Sequence, residues 1–481
     1  MKLKELIKDL DVKETVGSLD LDIKELKSDS NEVTYGSLFI CINGKDFDGH
    51  SYVRQAEIYG ALAVITQRKL DTSLTQIIVE DTRAAMSEVA SKFYGSVDKK
   101  MKLVAVLGTN GKTTTTHLIK FILDNASVKC GAIGTLGAYY CDKHVEPNLT
   151  TPDPIELHKT LADMYANGVK VVVMEVSAHA VFLQKVKGLE FFAAVFTNFS
   201  QDHLDFFESM ENYKQAKLKF FKENSCKYVV TNSDDSVGRE IINLINGALT
   251  YGIDNPADTF AIDVKENDLS TAFVINLFDC VYPVEMQTMG YYNVYNALAA
   301  ASTCALLGVK PKKVVDQLKK FSGVSGRLEP VYSGRFRVFV DYAHTPDGLE
   351  KSISALRPIV KNRLICVFGC GGNRDSSKRF LMGKISARNA DFTVITSDNP
   401  RYEEPVEIIC QIEKGVLSVS KKYIAIEDRE DAIKYTLDVA SEGDVILIAG
   451  KGSEKYQEIL GIKKPYNDKD TVIEYMRSKK V

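Results

Sequence analysis

The sequence predicts an α/β protein of three successive parts: a smaller N-terminal α/β part, a central part with a doubly wound parallel sheet, and a C-terminal Rossmann-like α/β part. The chain has 481 residues, which is enough for several domains of ordinary size. Short apolar runs typical of buried strands alternate with stretches typical of helices. Glycine-rich and charged motifs follow these runs directly, and ligands of open α/β sheets bind beyond the carboxyl ends of the strands.

The N-terminal part, up to about Lys100, has a β-α-β pattern. Ser37–Asn43 alternates and then becomes apolar like a strand, Tyr52–Gly60 is predicted to be a helix, and Ala61–Thr66 the next strand. The polar stretch Ser96–Lys102 is predicted to be a linker.

The central part opens with the apolar run Leu103–Leu107, which a glycine loop and a helix follow at once. Further buried strands are predicted at Val169–Val176, Phe191–Thr197 and Tyr228–Thr231, and a long alanine-rich helix at Asn293–Leu307. The C-terminal part begins near residue 330. Its predicted strands are Arg335–Asp341, Leu364–Phe368, Phe392–Thr396 and Asp444–Ala449.

Composition and cysteine usage narrow the class of protein. A hydrophobic content of 45% is ordinary for a folded protein, and a formal net charge of -3 argues against a nucleic-acid partner. The nine cysteines are scattered and form no Cys-x-x-Cys pair, which indicates reduced thiols. There is no N-terminal signal core and no apolar run of the roughly 18 residues that a membrane span needs. We therefore expect a cytoplasmic protein without a membrane span.

The strongest motif is the glycine loop GTNGKTT, residues 108–114, between a predicted strand and a predicted helix. Its glycines let backbone N–H groups approach phosphate oxygens. Lys112 supplies a positive charge for the terminal phosphates, and Thr113 a hydroxyl for Mg²⁺. The motif predicts that the central part is a P-loop ATPase domain.

Three more residues of the central part are candidates for chemistry. Glu175 ends a predicted strand, where a carboxylate is well placed to hold Mg²⁺. His203, within Asn198–Asp205, is either a metal ligand or a hydrogen-bonded core histidine. Lys217, on a helix predicted to begin near Met210, would by itself be interpreted as a solvated surface lysine.

Four motifs of the C-terminal part follow predicted strands and together predict one crevice of polar and charged groups. In the first motif, Asp341 and His344 could hydrogen-bond a ribose or a base. The second is another glycine loop, suited to an anion. The four motifs are Asp341–Asp347, Gly369–Asp375, Asp398–Arg401 and Gly450–Glu454.

The ordered set of motifs resembles the Mur ligases over essentially the whole chain, and specifically the members that extend a UDP-N-acetylmuramoyl-dipeptide. The resemblance implies three domains: residues 1–99 for the UDP-linked substrate, 100–330 for ATP, and 331–481 for the incoming amino acid. The matching segments, in chain order, are GTNGKTTT, EVSAHA, TNFSQDHLD, YNVYNALAA, SGRLEPV, DYAHTPD, GCGGNRD, DNPR and GKGSE.

The resemblance also implies a reaction. ATP, as co-substrate, phosphorylates the carboxylate of the growing peptide, the amine of the incoming amino acid attacks the acyl phosphate, and phosphate leaves. Mg²⁺ is the implied cofactor, since it offsets the repulsion between two anions. The product would be a peptidoglycan precursor, needed for cell shape and division, and the enzyme is expected to be a monomer.

Site residues follow from the resemblance, one motif at a time. The catalytic residues would be Lys112, Glu175, His203 and Lys217, and the metal ligands Thr113, Glu175, His203 and Lys217, the lysine as a carbamate. The residues for ATP would be Gly108, Thr109, Asn110, Gly111, Lys112, Thr113, Thr114, Asn293, Asn296, Arg327, Asp341 and His344. Those for the UDP-linked substrate would be Ser28, Ser30, Lys45, Asp46, Phe47, Thr150, Thr151, Ser177 and Lys185. Those for the amino acid would be Arg374, Asp398, Asn399, Pro400, Arg401, Gly450 and Glu454.

The chain departs from the family pattern at four positions, which concern local substrate contacts. Lys185 stands where arginine is usual, so a fork of donors becomes a point charge. Leu149 stands in place of asparagine, Ala178 in place of serine, and Ser453 in place of histidine.

The motif Asp398–Arg401 resembles the form found in ligases that add meso-diaminopimelate. Arg401, helped by Arg374, could bind the far carboxylate of that substrate, and Glu454 with the Gly450 carbonyl could bind its far ammonium. L-lysine is the alternative, but it would leave Arg401 without an anion. Two other readings remain: a folylpolyglutamate or cyanophycin type of ligase, and a non-catalytic nucleotide-binding regulator, which would be expected to have lost Glu175, His203 or Lys217.

Overall fold

A computed structural model describes residues 1–44, 47–146 and 148–479 of the chain. The fold divides into two compact units. The first unit comprises Met1–Val106, Ser127–Ala194 and Ala216–Tyr228, and the second comprises Leu107–Ala126, Val195–Gln215 and Val229–Val481. No helix in the described part of the chain is long and apolar enough to cross a membrane. All nine cysteines are free thiols.

In the first unit, a five-stranded sheet of order β1-β5-β4-β3-β2 forms the N-terminal fold. Strands β2 to β5 are parallel, and β1 pairs antiparallel with β5. Apolar side chains of the strands pack against α3 through Met86 and Val89. The elements are α1 (Leu3–Leu6), β1 (Val12–Val16), β2 (Glu25–Lys27), β3 (Ser37–Ile40), α2 (Val53–Ile58), β4 (Ala63–Thr66), β5 (Thr75–Val79) and α3 (Thr82–Phe93), with 3-10 turns at Ser30–Glu32, Gly49–Tyr52 and Val97–Lys100.

The middle of the chain contributes elements to both units. They are β6 (Lys102–Leu107), α4 (Lys112–Asn125), β7 (Cys130–Gly134), β8 (Gly137–Tyr140), β9 (Lys143–Val145), α5 (Pro154–Ala166), β10 (Val171–Glu175), α6 (Ala178–Phe182), β11 (Phe191–Phe196), α7 (Leu204–Phe207), α8 (Met210–Glu223), β12 (Cys226–Asn232), α9 (Ser236–Leu244), β13 (Leu249–Gly252), β14 (Thr259–Glu266), β15 (Thr271–Leu277), β16 (Cys280–Met286), α10 (Tyr291–Leu306) and α11 (Pro311–Leu318).

The strands of this region combine parallel and antiparallel pairing. In the first unit they include the order β6-β10-β7-β8-β9, with β10 parallel to both β6 and β7, and β8 and β9 antiparallel. In the second unit, β12, β13 and β14 are parallel neighbours, and β14, β15 and β16 form an antiparallel meander. The predicted parallel sheet is confirmed, whereas the sequence analysis did not foresee the antiparallel strands that extend it.

The C-terminal part of the second unit is a doubly wound sheet of order β17-β18-β22-β19-β20-β21, parallel except for β17. Alternate strand residues face two cores, one under α12, α13 and α14, the other under α15 and α16. The elements are β17 (Glu329–Ser333), β18 (Arg337–Asp341), α12 (Pro346–Leu356), β19 (Leu364–Phe368), α13 (Ser377–Asn389), β20 (Phe392–Ile395), α14 (Pro405–Leu417), β21 (Tyr423–Ala425), α15 (Arg429–Val439), β22 (Val445–Ala449), β23 (Tyr456–Ile459), β24 (Ile462–Pro465) and α16 (Asp468–Ser478), with a 3-10 turn at Arg357–Ile359.

The predicted strands and the long helix are confirmed, with ends that shift by at most three residues. The predicted linker at residues 96–102 is wrong. Val97 and Asp98 are buried in a 3-10 turn that packs on α5, and Lys102 already belongs to β6. The polar composition of this stretch concealed two residues that tertiary packing buries.

Candidate active site

The glycine loop before α4 has the backbone of an anion-binding loop. Gly108 and Gly111 have φ angles of 139° and 83°, values that residues with side chains rarely adopt. A Cβ at Gly111 would lie 2.4 Å from Asn296 Oδ1, so the close approach of α10 also requires glycine. The Asn110 N–H donates to Asn198 Oδ1 at 3.0 Å and fixes the loop. The loop leads into a 14-residue helix, whose N-terminus favours phosphate.

The start of α4 carries the side chains predicted to meet the phosphates and the metal. Lys112 Nζ donates to loop carbonyls, with 2.7 Å to the oxygen of Thr109. The buried Thr113 hydroxyl accepts a hydrogen bond from Arg327 Nη2 at 2.9 Å. The Arg327 guanidinium also lies over the Tyr342 ring, 4.3 Å from its centroid. Arg327 thus brings a second positive charge to the phosphate loop.

Three basic side chains surround the buried carboxylate of Asp202. His203 Nε2 lies 3.2 Å and His344 Nε2 3.8 Å from Asp202 Oδ2, and Lys378 Nζ lies 4.0 Å from Oδ1. Burial alone would raise the pKa of Asp202, but these basic groups hold it well below its ordinary value. Asp202 therefore remains an anion and orients His203, whose backbone has a φ angle of 57°.

The remaining predicted ATP residues lie on α10 and at the end of β18. Asn293 and Asn296 are buried one helical turn apart, and Asn296 Nδ2 donates to Asn293 Oδ1 at 2.9 Å. Asp341 accepts hydrogen bonds from the N–H groups of Leu328 and Tyr342 at 3.2 and 2.8 Å. Burial raises the pKa of the Asp341 carboxyl above its ordinary value. Asp341 therefore fixes the end of its strand through these two hydrogen bonds.

Four neighbouring strands, β18, β22, β19 and β20, end at the same edge of the C-terminal sheet, and each is followed by one of the four motifs. The loops pack tightly against one another. The Gly372 N–H donates to the Asn399 carbonyl at 2.9 Å, and a Cβ at Gly372 would lie 1.9 Å from the Pro400 oxygen. A Cβ at Gly450 would lie 2.6 Å from Asp398 Oδ2. Glycine is required at both positions for the loops to meet.

Opposite charges pair within these loops. Arg401 Nε donates to Glu458 Oε2 at 3.1 Å, and Lys451 Nζ donates to Glu454 Oε2 at 2.8 Å. Arg374, by contrast, is exposed and donates only to a neighbouring carbonyl at 3.4 Å in the described part of the chain. In the free protein Arg401 already has an anionic partner in Glu458, so the expectation that lysine as substrate would leave Arg401 without an anion is wrong.

A buried ion pair lies behind two of these loops. Arg429 donates to both carboxylate oxygens of Asp468 at 2.8 Å, and both side chains are fully buried. Arg429 also donates to the carbonyls of Ala449 at 2.9 Å and Ser397 at 3.4 Å, which immediately precede two of the motifs. Burial would raise the pKa of the adjacent Asp398, but Lys451 and Arg429 hold it below its ordinary value. Arg429 thus links β20 and β22 at their carboxyl ends.

In the first unit, Glu175 ends β10 as a buried carboxylate with protein donors. Its Oε1 accepts from the Thr135 N–H at 2.9 Å and its Oε2 from the Thr135 hydroxyl at 3.1 Å. The Thr135 and Thr150 hydroxyls are 3.2 Å apart. The Thr151 hydroxyl donates to the Glu175 carbonyl at 2.9 Å. A Cβ at Gly134 would lie 2.1 Å from Glu175 Oε1, so glycine leaves room for the carboxylate.

Three further predicted residues of this unit are largely or fully withdrawn from solvent. The Ser177 N–H donates to the Thr151 hydroxyl at 3.1 Å. Lys185 is buried, and its Nζ lies 2.9 Å from Asp153 Oδ1. Lys217 on α8 is only 1% exposed, which corrects the interpretation of a solvated surface lysine. An ammonium group needs a specific partner or a chemical change at such a depth.

The residues predicted for the uridine side differ in their exposure to solvent. Ser30 is buried, and its hydroxyl donates to Gln55 Oε1 at 3.0 Å, while Ser28 is half-buried and Phe47 is exposed. Lys45 and Asp46 lie outside the described residues.

Three family models match successive parts of the chain. The Mur ligase family catalytic domain matches residues 22–94, the Mur ligase middle domain residues 106–304, and the Mur ligase glutamate ligase domain residues 326–452. A relative from Syntrophomonas wolfei, named UDP-N-acetylmuramoyl-L-alanyl-D-glutamate--2,6-diaminopimelate ligase, is 43% identical and covers 100% of both chains. The chain belongs to the Mur ligase family. The three-domain architecture of this family is confirmed, while the predicted domain boundaries stay predictions.

Other Mur ligases agree in sequence or in fold. A relative of the same name from Aquifex aeolicus is 41% identical over 94% of both chains. A solved structure with that name is 30% identical, covers 100% of this chain and 99% of its own, and gives a TM-score of 0.71. A MurF ligase from Thermotoga maritima in complex with ADP is 22% identical, covers 96% and 98%, and shares the fold with a TM-score of 0.66.

Sequence reasoning about this Mur ligase missed several charged residues beside the predicted site. Asp202 lay within a quoted motif, and its position next to His203 was a usable signal. Lys451 also lay within a quoted motif, the segment Gly450–Glu454, whereas Glu458, Arg429 and Asp468 stand in ordinary charged stretches that resemble solvated surface. Of the four predicted catalytic residues, the second unit contains Lys112 and His203, and the first contains Glu175 and Lys217.

Proposed function

We propose that this Mur ligase adds meso-diaminopimelate to UDP-N-acetylmuramoyl-L-alanyl-D-glutamate with hydrolysis of ATP to ADP and phosphate. The observation that carries the proposal is the set of loops at the carboxyl edge of the C-terminal sheet. Arg401 and Glu454, one cation and one anion, lie there next to a glycine loop. A carboxylate and an ammonium at the far end of one amino acid complement such a pair.

The chemistry follows from the poor reactivity of a carboxylate toward an amine. One oxygen of the peptide carboxylate attacks the terminal phosphorus of ATP, so that ADP leaves and an acyl phosphate forms. The amine of the incoming amino acid then attacks the acyl carbon, loses a proton, and phosphate departs from the tetrahedral intermediate. Lys112, the glycine-loop N–H groups and Arg327 would stabilise the phosphate charge during the first step.

The residues proposed for Mg²⁺ have suitable donor chemistry. The hydroxyl of Thr113 and the buried carboxylate of Glu175 are hard oxygen ligands, and His203 could contribute an imidazole nitrogen. Within residues 1–44, 47–146 and 148–479, no three His, Cys, Asp or Glu side chains group as a metal cluster. Lys217, in the modified form described below, is proposed as a further oxygen ligand. When bound, Mg²⁺ would offset the negative charge of the phosphates.

Lys217 is proposed to act as a carbamate. An ammonium repels Mg²⁺, whereas the carbamate formed with CO₂ is an anionic oxygen ligand. The burial of Lys217 supports this role, because an ammonium group at such a depth needs a specific partner or a chemical change. The modification is testable by ¹³C NMR with labelled bicarbonate, using Lys217→Arg as the control that cannot form it.

The UDP-linked substrate is proposed to contact Ser28, Ser30, Lys45, Asp46, Phe47, Thr150, Thr151, Ser177 and Lys185. Lys185 could bind a carboxylate of the dipeptide as a point charge, and Asp153 holds its ammonium in place. Because the reaction uses ATP and a UDP-linked precursor, the enzyme is proposed to act in the cytoplasm, as a monomer in peptidoglycan synthesis. Cell shape and division would depend on its product.

The test is phosphate release by the purified full chain. Release should require both the UDP-muramoyl-dipeptide and meso-diaminopimelate, and L-lysine at equal concentration should support much less. Release without an amino acid would indicate a regulator, and better use of lysine would refute the assignment of the substrate. Arg401→Ala should weaken the use of diaminopimelate far more than ATP binding. Arg477→Ala, which changes an exposed residue in the last turn of α16, is a control that should change neither.

A further inference from the structure

The two charged side chains proposed to bind the far end of the amino acid each have a partner of opposite charge within the protein. Arg401 is 19% and Glu458 21% exposed at the side chain, and their contact is 3.1 Å. Glu454 is 22% exposed and lies 2.8 Å from the ammonium of Lys451, which is fully buried. Neither recognition charge therefore faces the substrate as an isolated ion.

Lys451 is held in a closed triangle of polar contacts. Its Nζ donates to Asn399 Oδ1 at 2.9 Å and to Glu454 Oε2 at 2.8 Å. Asn399 Nδ2 donates in turn to the same Glu454 oxygen at 2.9 Å. A buried ammonium is stable only when it is paired and hydrogen-bonded, and this triangle meets both conditions. Among the residues that the structure describes, none donates to the other carboxylate oxygen of Glu454, which is therefore available to a ligand.

Glu458 is fixed by the hairpin that carries it. Its N–H donates to Asn399 Oδ1 at 2.9 Å, and its carbonyl accepts from the Arg401 N–H at 3.1 Å. The Arg401 guanidinium is then fixed at two points, by Glu458 at Nε and by the Gly372 carbonyl at Nη1, 2.7 Å away. Within the described part of the chain, Nη2 donates to no protein acceptor, which leaves one edge of the fork for a carboxylate.

We propose that Glu458 and Lys451 are specificity-determining residues, acting as internal counter-ions that match this site to an amino acid with a zwitterionic far end. This inference rests on the proposed function. A far end with only an ammonium adds an uncompensated positive charge near Lys451 and Arg401. A far end with only a carboxylate adds a negative charge near Glu454 and Glu458. A zwitterionic far end adds one charge of each sign beside these two ion pairs, and so brings no net charge into the site.

The experiment compares three amino acids that differ at the far end: meso-diaminopimelate with both charges, L-lysine with the ammonium, and L-2-aminopimelate with the carboxylate. The readout is kcat/KM for each, with saturating ATP and UDP-muramoyl-dipeptide. Glu458→Gln keeps an oxygen acceptor for Arg401 and removes only the charge. It should raise the ratio of aminopimelate to lysine on the order of tenfold, as expected for one unit charge a few ångströms away.

The matched variants make the result specific to charge. Lys451→Gln should shift the same ratio toward lysine, and Glu430→Gln, which removes an exposed glutamate paired with Lys434 on α15, should leave it unchanged. Higher salt should reduce the shift in Glu458→Gln, while KM for ATP stays constant.

Three results with Glu458→Gln would overturn the inference: an unchanged ratio of aminopimelate to lysine, a shift of that ratio toward lysine, or an equal loss of kcat/KM with all three amino acids. The proposed function would still stand in each case if the wild-type enzyme uses diaminopimelate. A wild-type chain that uses none of the three amino acids would overturn both. Glu458 is partly exposed, so Glu458→Gln is expected to fold. This variant tests the inference even if Lys451→Gln, at a fully buried position, fails to fold.

Discussion

Replacement of Asp468 by asparagine should destabilise the C-terminal part of the protein more than almost any other change of a single charge. The carboxylate is fully buried and binds Arg429 through two hydrogen bonds of 2.8 Å. The Tyr466 hydroxyl donates to it as well, at 2.9 Å. Asparagine has nearly the same shape, so the substitution leaves no cavity and isolates the effect of the charge.

The magnitude follows from the state in which Arg429 is left. Burial opposes the charged guanidinium, and Asp468 is the main group that keeps the pKa of Arg429 raised. Removal of one partner of a buried pair costs about 3–5 kcal/mol, because the other charge remains without compensation. The asparagine oxygen still accepts one hydrogen bond, so we expect about 3 kcal/mol. In a domain of 150–250 residues this corresponds to a fall in Tm of roughly 6–12 °C.

The assay is differential scanning calorimetry of the full chain, with Asp438→Asn as the control. Asp438 accepts a hydrogen bond from Tyr475 and pairs with Lys479 at 3.0 Å, but at the surface, where an ion pair contributes little. A Tm for Asp468→Asn within about 2 °C of the wild type, or equal to that of the control, would refute this reasoning about the buried pair.

Two further predictions concern pH and loop packing. Burial lowers the pKa of His158 to about 4, although Asp98 acts in the opposite direction, so the folded state binds fewer protons than the unfolded state below pH 6.5. The free energy of unfolding should therefore fall by up to roughly 3 kcal/mol as the pH drops from 6.5 to about 4. Urea unfolding of His158→Leu should show no such dependence on pH. An equal dependence in the variant and the wild type would contradict the assignment of this effect to His158. Gly372→Ala should displace the loop at Pro400 and raise KM for the amino acid about tenfold or more in steady-state kinetics, with KM for ATP unchanged. Gly247→Ala is the control, because its alanine has open space around it and meets only the backbone strain of a φ of +78°. Equal effects of the two alanines would refute the packing argument.

Much of the fold was predictable because its strands are buried on both faces. Runs such as Leu364–Phe368 are continuously apolar, and the predicted strand has the observed bounds. The antiparallel meander of β14, β15 and β16 escaped notice because exposed and buried residues alternate along it. A half-exposed strand has no continuous apolar run, so its signal in the sequence is weaker than that of a buried strand. The segment after β13 also lacks a glycine motif, which elsewhere in the chain marked the end of a strand.

The linker prediction failed for a related reason. Residues 96–102 are polar in composition, yet Asp98 is 2% exposed and lies 3.7 Å from the equally buried His158. Whether a charged residue is buried depends on what packs over it, and α5, which covers this turn, is more than fifty residues further along the chain.

By itself, the sequence determined the order of strands and loops, the glycine loop for phosphate, and the family to which the chain belongs. These depend on local periodicity, on the conformational freedom of glycine, and on motifs that are contiguous in the chain. Only the tertiary structure decided which opposite charges became neighbours: Glu458 with Arg401, Lys451 with Glu454, and Arg429 with Asp468. Arg429 and Asp468 are separated by 39 residues and Arg401 and Glu458 by 57, and the packing of separate helices and hairpins, which no local pattern encodes, brings them together.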